Sequence, residues 1–139
     1  EFPHADMNRV IKMCLVHDIG EAFTGDVPAF AKTDADELME QEALAAFTAG
    51  LPEPYQSELA ALFLEMDALE TNEARIYKAL DKMEAVLQHN EADIGTWLPL
   101  EYRENLDYGK QEAAFSDYLA ALREMLRRNT ARKIVDAQG

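Results

Sequence analysis

The strongest constraint on the fold is a series of helix-length segments whose apolar residues recur at the helical period. In the segment 55–69, Leu59, Leu62, Phe63 and Met66 follow the i, i+3, i+4, i+7 spacing that places side chains on one helix face. No run alternates polar and apolar residues as a half-buried strand does. The predicted helices span residues 7–18, 34–49, 55–69, 72–89 and 108–131. Residues 21–33 and 91–107, which contain glycine and proline, are predicted to be mainly irregular.

These segments predict an all-α fold in a single domain. The chain has 139 residues, of which 48% are hydrophobic, and this is enough for one core. The first helix is apolar nearly all round, so we expect it to be buried. Its Cys14 is the single cysteine, which excludes an intrachain disulfide and is expected to be a buried thiol. Trp97 is expected to anchor the irregular stretch around it.

The charge of the chain bears on its partners and location. Its 27 Asp and Glu against 13 Lys and Arg give a formal net charge of −14, which disfavours binding to a nucleic-acid polymer. A small phosphate ester is less restricted, because a bound cation reverses the charge locally. No apolar run approaches the roughly 20 residues of a membrane span. We therefore expect no membrane partner and a cytoplasmic location.

A basic cluster stands at the C-terminal end. It is expected to complement the negative end of the last helix, and the apolar stripe of that helix could support a homodimer. The cluster consists of Arg123, Arg127, Arg128, Arg132 and Lys133.

The segment HDIGEAFTGD, residues 17–26, carries most of the chemistry. It places His17 and Asp18 at the end of an apolar helix, where charged groups need partners because losing their water is costly. Imidazole and carboxylate together suit Mn, Fe, Co or Zn. Glu21, three residues after Asp18, reaches the same side if the helical turn persists, as a supporting acid or as a base acting on water. A His–Asp hydrogen bond without a metal remains the alternative.

Asp81 is the second piece of this pattern. It lies in KALDKMEAV, residues 78–86, on the apolar side of the fourth predicted helix. When Asp81 is considered by itself, an ion pair with Lys78 or Lys82 is enough to explain its position. Read together with His17 and Asp18, it is a candidate metal ligand.

HDIGEAFTGD followed by KALDKMEAV resembles the HD-domain metal-dependent phosphohydrolases, most closely the 5′-deoxynucleotidase-like subgroup. The resemblance implies an HD-domain helical bundle of about five or more helices that binds one divalent metal ion (Mn, Co, Fe, Zn or Mg) through His17, Asp18 and Asp81. It implies that Glu21 acts on the attacking water and that Asp26 contacts the substrate or the water. The implied reaction removes the 5′-phosphate from a (deoxy)ribonucleoside monophosphate, in a homodimer.

The chain also departs from the family pattern. The family has a further histidine ligand and a phosphate-binding arginine upstream of the HD pair, and His4 does not match that histidine in its context. We therefore expect residues 1–139 to be one HD domain lacking its N-terminal helix or helices. Two alternatives stay open. One is hydrolysis of another phosphate ester, such as a cyclic nucleotide, a nucleoside triphosphate or an alarmone. The other is a catalytically degenerate helical module for binding or dimerisation.

Overall fold

The computed structural model describes residues 1–25, 27 and 31–138. These residues form helices and no strand, which confirms the all-α class. The α-helices are α1 (Met7–Val16), α2 (Glu21–Thr24), α3 (Asp34–Ala49), α4 (Tyr55–Ala68), α5 (Asn72–Glu91), α6 (Glu101–Asp107), α7 (Lys110–Ala113) and α8 (Asp117–Asp136). A 3-10 turn, Ile94–Thr96, follows α5. None of the helices in the described part of the chain is both long enough and apolar enough to span a bilayer.

The chain divides into two compact units. The N-terminal unit comprises Met7–Ala74, and the C-terminal unit comprises Glu1–Asp6 and Arg75–Gly139. The single domain over residues 1–139, and its lack of N-terminal helices, stay predictions.

In the N-terminal unit, α1 and α3 both pack on α4, and α2 packs on α3. Its buried apolar residues include Val10, Met13, Leu62 and Met66. Arg9 on α1 donates a hydrogen bond from Nε to Glu65 Oε2 on α4, at 2.5 Å. Burial raises the pKa of Glu65, but hydrogen bonds from Arg9 and Thr71 outweigh it and leave that pKa lowered. The ion pair thus supports the packing of α1 on α4.

Helix α3 is bounded by a capping box at its start and by Gly50 at its end. Asp36 N donates to Thr33 Oγ1 at 3.3 Å, while Thr33 N donates to Asp36 Oδ2 at 2.9 Å, forming a capping box. At the other end, the backbone N–H of Gly50 bonds back to Ala46 O. The predicted range 34–49 is confirmed.

The C-terminal unit is organised on α8, on which α6 and α7 both pack. Trp97 is buried and donates from Nε1 to His89 O at 2.9 Å, which confirms its role as an anchor. The expectation that the basic cluster complements the negative end of the last helix is wrong for most of its members, because α8 continues to Asp136 and only Lys133 lies in its last turn. Arg123 is buried. Its guanidinium donates to the carbonyl oxygens of Tyr108 (2.6 Å) and Asn105 (3.1 Å).

The predicted single helix over residues 108–131 is wrong, because the chain breaks twice there. Gly109 has a φ of +77°, and a Cβ at this position would lie 3.0 Å from Lys82 Cβ. Such a backbone favours glycine and does not continue a helix. Ser116 then caps α8, with Oγ accepting from Leu119 N at 3.1 Å.

Three further expectations need correction. Residues 21–24 and 101–107, predicted as irregular, are helical, because short one- and two-turn helices carry too little periodic signal to be recognised. Cys14 is only half-buried. Helix α1 is not buried all round, since Ile11 is 53% and Leu15 is 76% exposed. Hydrophobic composition alone therefore overstated the burial of α1.

Because α1 is buried on one side only, shortening a side chain should change the free energy of unfolding by different amounts on its two sides. Met13→Ala should lower the free energy of unfolding by about 2–5 kcal/mol, because it leaves a cavity at a fully buried position. Leu15→Ala, two residues along the same helix, should change it by less than about 0.5 kcal/mol. Urea denaturation followed by circular dichroism measures both. Equal losses in the two variants would contradict the orientation of α1.

Candidate metal centre and its surroundings

His17 follows α1 directly, and the backbone fixes the orientation of its ring. Its main-chain N–H continues the helical pattern by bonding to Met13 O at 3.0 Å. Ring atom Nδ1 lies 2.8 Å from Cys14 O. Because a carbonyl oxygen can only accept, Nδ1 carries the proton in this bond. The remaining ring nitrogen, Nε2, is thereby directed away from the helix backbone.

The structure brings His17 and Asp18 together, as the sequence predicts for adjacent residues at a helix end. Nε2 of His17 lies 3.1 Å from Oδ2 of Asp18. The histidine side chain is 23% exposed and the aspartate 62%, so the pair is open to solvent on the aspartate side. A nitrogen and a carboxylate oxygen at this separation suit either a protonated imidazole or a shared cation. A ring whose second nitrogen donates to a carbonyl is the usual arrangement of a metal-binding histidine.

Glu21 begins α2, one turn after Asp18. Its N–H bonds to Asp18 O at 3.0 Å, so the turn persists across the segment as the sequence prediction required. Its Oε1 lies 3.8 Å from Lys32 Nζ, and the same ammonium lies 2.5 Å from Glu40 Oε2 on α3. The hydrogen bond to Glu40 is the main cause of a raised pKa of Lys32.

Sequence reasoning missed both Lys32 and Glu40. Glu40 stands in the acidic run 34–42, whose composition is typical of a solvated helix face, yet its side chain is only 20% exposed. One signal was available, because Lys32 is the only Lys or Arg between Lys12 and Arg75. A single cation in a long acidic stretch is expected to have acidic partners.

Gly20 makes room for Glu40. A Cβ at position 20 would lie 2.5 Å from Cγ of Glu40, which is closer than real Cβ atoms approach other atoms. The φ of Gly20 is −57°, so the backbone itself does not require glycine. The glycine between Asp18 and Glu21 is therefore explained by the close approach of α3.

Asp81 lies on α5 in the C-terminal unit. Lys78 donates to its Oδ2 at 2.9 Å, so the ion pair considered as an alternative is present. Burial is the largest single influence and lowers the pKa of Lys78, but the hydrogen bond to Asp81 and the charges of Asp81, Tyr77 and Tyr108 together leave that pKa raised. A carboxylate has several acceptor positions on its two oxygens, so this pair leaves Asp81 chemically able to bind a cation as well.

The predicted site residues are thus distributed over both units. His17, Asp18 and Glu21 lie in the N-terminal unit, Asp81 lies in the C-terminal unit, and Asp26 lies outside the described residues. Within neither unit do the described residues contain a group of three His, Cys, Asp or Glu placed to hold a metal ion. That His17, Asp18 and Asp81 share one metal stays a prediction.

Comparison with known proteins identifies the family. The model of the HD domain family matches residues 1–123. The chain is 34% identical over 90 residues to 5′-deoxynucleotidase HDDC2 of Bos taurus, a match that covers 63% of this chain and 44% of the relative. It is 36% identical over 85 residues to the protein of the same name in Dictyostelium discoideum, covering 60% and 45%. The chain belongs to the HD domain family.

A solved structure gives the same result at the level of the fold. The crystal structure of a predicted metal-dependent phosphohydrolase from Magnetospirillum magnetotacticum matches with a TM-score of 0.75 and 31% identity. The match covers 94% of this chain and 67% of the other. In contrast, the matches to the two 5′-deoxynucleotidases span less than half of the length of each.

The contact at Gly20 yields a stability prediction. Gly20→Ala should lower the free energy of unfolding by about 1–3 kcal/mol, because the added methyl group overlaps Cγ of Glu40. Adding Glu40→Ala removes that atom and should recover part of the loss. Thermal and urea denaturation measure the effect.

Gly50→Ala is the matched control. Its φ is −79° and the nearest atom to an added Cβ is 3.4 Å away, so stability should be unchanged or slightly higher. If Gly20→Ala behaved like Gly50→Ala, the close approach of Glu40 to position 20 would be disproved.

Proposed function

We propose that this protein is a metal-dependent phosphohydrolase that removes the 5′-phosphate from (deoxy)ribonucleoside monophosphates. The observation that carries the proposal is the His17–Asp18 pair, in which a backbone carbonyl orients the histidine and Nε2 lies 3.1 Å from the carboxylate. The substrate class is supported by relatives named as 5′-deoxynucleotidases. The dependence on metal is supported by a neighbour described as a predicted metal-dependent phosphohydrolase.

In this proposal, His17, Asp18 and Asp81 hold one divalent cation. The donor set of one imidazole nitrogen and two carboxylates fits Mn, Co, Fe or Zn, and Mg is a further candidate for a site that also binds phosphate. When bound, the cation would neutralise phosphate oxygens and make a water molecule more acidic. The positive charge of the bound cation also explains how an acidic protein can bind a small phosphate ester while the rest of its surface repels a nucleic-acid polymer.

Glu21 acts on the attacking water in the proposed reaction. Its carboxylate accepts a proton as the water oxygen forms a bond to phosphorus and the bond between phosphorus and O5′ breaks. The leaving O5′ takes up one proton, so the products are a nucleoside and inorganic phosphate. Asp26 contacts the substrate or the water.

A homodimer and a cytoplasmic location complete the proposal. The homodimer is supported by the apolar residues that α8 leaves on its surface, since Tyr118 is 70% and Met125 is 50% exposed and the two are one heptad apart. Light scattering at micromolar concentration should give the mass of two chains. A monomer would contradict this part of the proposal without affecting the metal site.

The main test combines metal content with phosphate release. Metal-loaded protein should release phosphate from deoxynucleoside monophosphates in the presence of Mn²⁺ or Co²⁺. Asp81→Ala should lose both metal and turnover, because it removes a ligand. Glu21→Gln should retain the metal and lose at least about 100-fold in kcat, because it removes the group that accepts the proton. Elemental mass spectrometry and a phosphate assay give the two readouts.

Glu84→Ala is the control for Asp81→Ala. It removes an exposed carboxylate one turn further along α5 and should leave both readouts unchanged. If the monophosphates stay intact while another phosphate ester in a panel is consumed, the substrate assignment is wrong. If no ester is consumed and no metal is retained, the proposal is contradicted and the alternative of a binding or dimerisation module is favoured.

A further inference from the structure

Lys32 lies between two carboxylates that come from different helices. Its Nζ is 2.5 Å from Glu40 Oε2 on α3 and 3.8 Å from Glu21 Oε1 on α2. The side chains of all three residues are between 20% and 24% exposed, so solvent reaches them only in part. Partial removal from water strengthens such interactions relative to pairs on the surface.

The two contacts of Lys32 are unequal, and this assigns different roles to its partners. The short contact with Glu40 is a charge-assisted hydrogen bond, whereas the distance of 3.8 Å between Lys32 Nζ and Glu21 Oε1 is that of an ion pair and too long for a hydrogen bond between these two atoms. Glu40 therefore fixes the ammonium, and the ammonium acts on Glu21 through its charge.

The packing of α2 on α3 favours this arrangement. Gly20, the residue before Glu21, has no Cβ, and only this allows Cγ of Glu40 to lie where it does. The space at Gly20, the pairing of Glu40 and the position of Lys32 are thus parts of one local structure.

We propose that Lys32 is a positioning residue for Glu21 and that Glu40 acts through Lys32 by holding its ammonium in place. The inference rests on the proposed function, in which Glu21 acts on the attacking water. It makes the activity depend on Glu40 of α3, a helix that carries none of the predicted metal ligands. The positive charge restricts where the Glu21 carboxylate can lie.

The test is a cycle of variants on the metal-loaded protein, assayed for kcat and KM with a deoxynucleoside monophosphate. Lys32→Met should lower kcat by about 10- to 100-fold, the loss typical of removing an outer partner that orients a residue of a metal site. KM and bound metal should be unchanged, because Lys32 contacts neither the substrate nor the metal in this account. Lys32→Arg, which keeps the charge, should retain more activity than Lys32→Met.

Glu40→Gln should also lower kcat. The double variant Lys32→Met/Glu40→Gln should have the same kcat as Lys32→Met alone, because Glu40 acts only through the lysine. Two controls match these changes. Lys110→Met removes an exposed lysine whose ion pair with Asp107 is 3.9 Å long, and Glu42→Gln alters an exposed residue of α3. Both should keep the activity of the wild type. Melting temperatures of all variants separate loss of fold from loss of catalysis.

Each contrary result has its own meaning. An unchanged kcat in Lys32→Met, with an active wild type, would overturn the inference and leave the proposed function standing. A raised KM with unchanged kcat would also overturn it, by making Lys32 a substrate-binding residue. Additive losses in the double variant would overturn the role of Glu40. A wild type that hydrolyses no phosphate ester would overturn the proposed function and the inference with it.

Discussion

The hydrogen bond from His17 Nδ1 to Cys14 O is the interaction on which the candidate site depends. It uses a carbonyl in the last turn of α1, and it fixes which ring nitrogen is available. Nε2 then lies against the carboxylate of Asp18. The C-terminal end of α1 is therefore also the element that orients His17. The packing of α1 on α4, supported by Arg9 and Glu65, determines where that helix end lies within the N-terminal unit.

The surroundings of Glu21 show how neighbouring acids can be accommodated in a strongly acidic chain. Glu21 and Glu40 share the one cation available in a long stretch of sequence, and the glycine at position 20 lets their helices approach. On α5, Lys78 performs a similar function for Asp81. Both candidate carboxylates therefore have a lysine at ion-pair distance. Their charges are kept in place by contacts that belong to the fold.

Most of the helices and part of the candidate site could be predicted from the sequence. The features that could not be predicted have physical explanations. Helices α3, α4 and α5 were located within two residues at each end, because each contains several turns of periodic apolar residues and clear boundaries. The break at Gly109 and Ser116 was missed, because the positive φ of the glycine and the cap formed by the serine are single-residue features within an otherwise periodic segment. The pairing of His17 with Asp18 follows from their position at a helix end. The contact between Lys32 and Glu40 does not, because it depends on how α2 packs against α3.

The most direct test of the account is nitrogen-15 NMR of the histidine rings before and after addition of Zn²⁺, with His17→Gln to assign the signals. We expect Nε2 of His17 to bind the metal while Nδ1 keeps its proton and its bond to Cys14 O. Coordination through Nδ1, or a His17 spectrum that Zn²⁺ leaves unchanged, would contradict the central claim that the HD pair forms a metal site oriented by the end of α1.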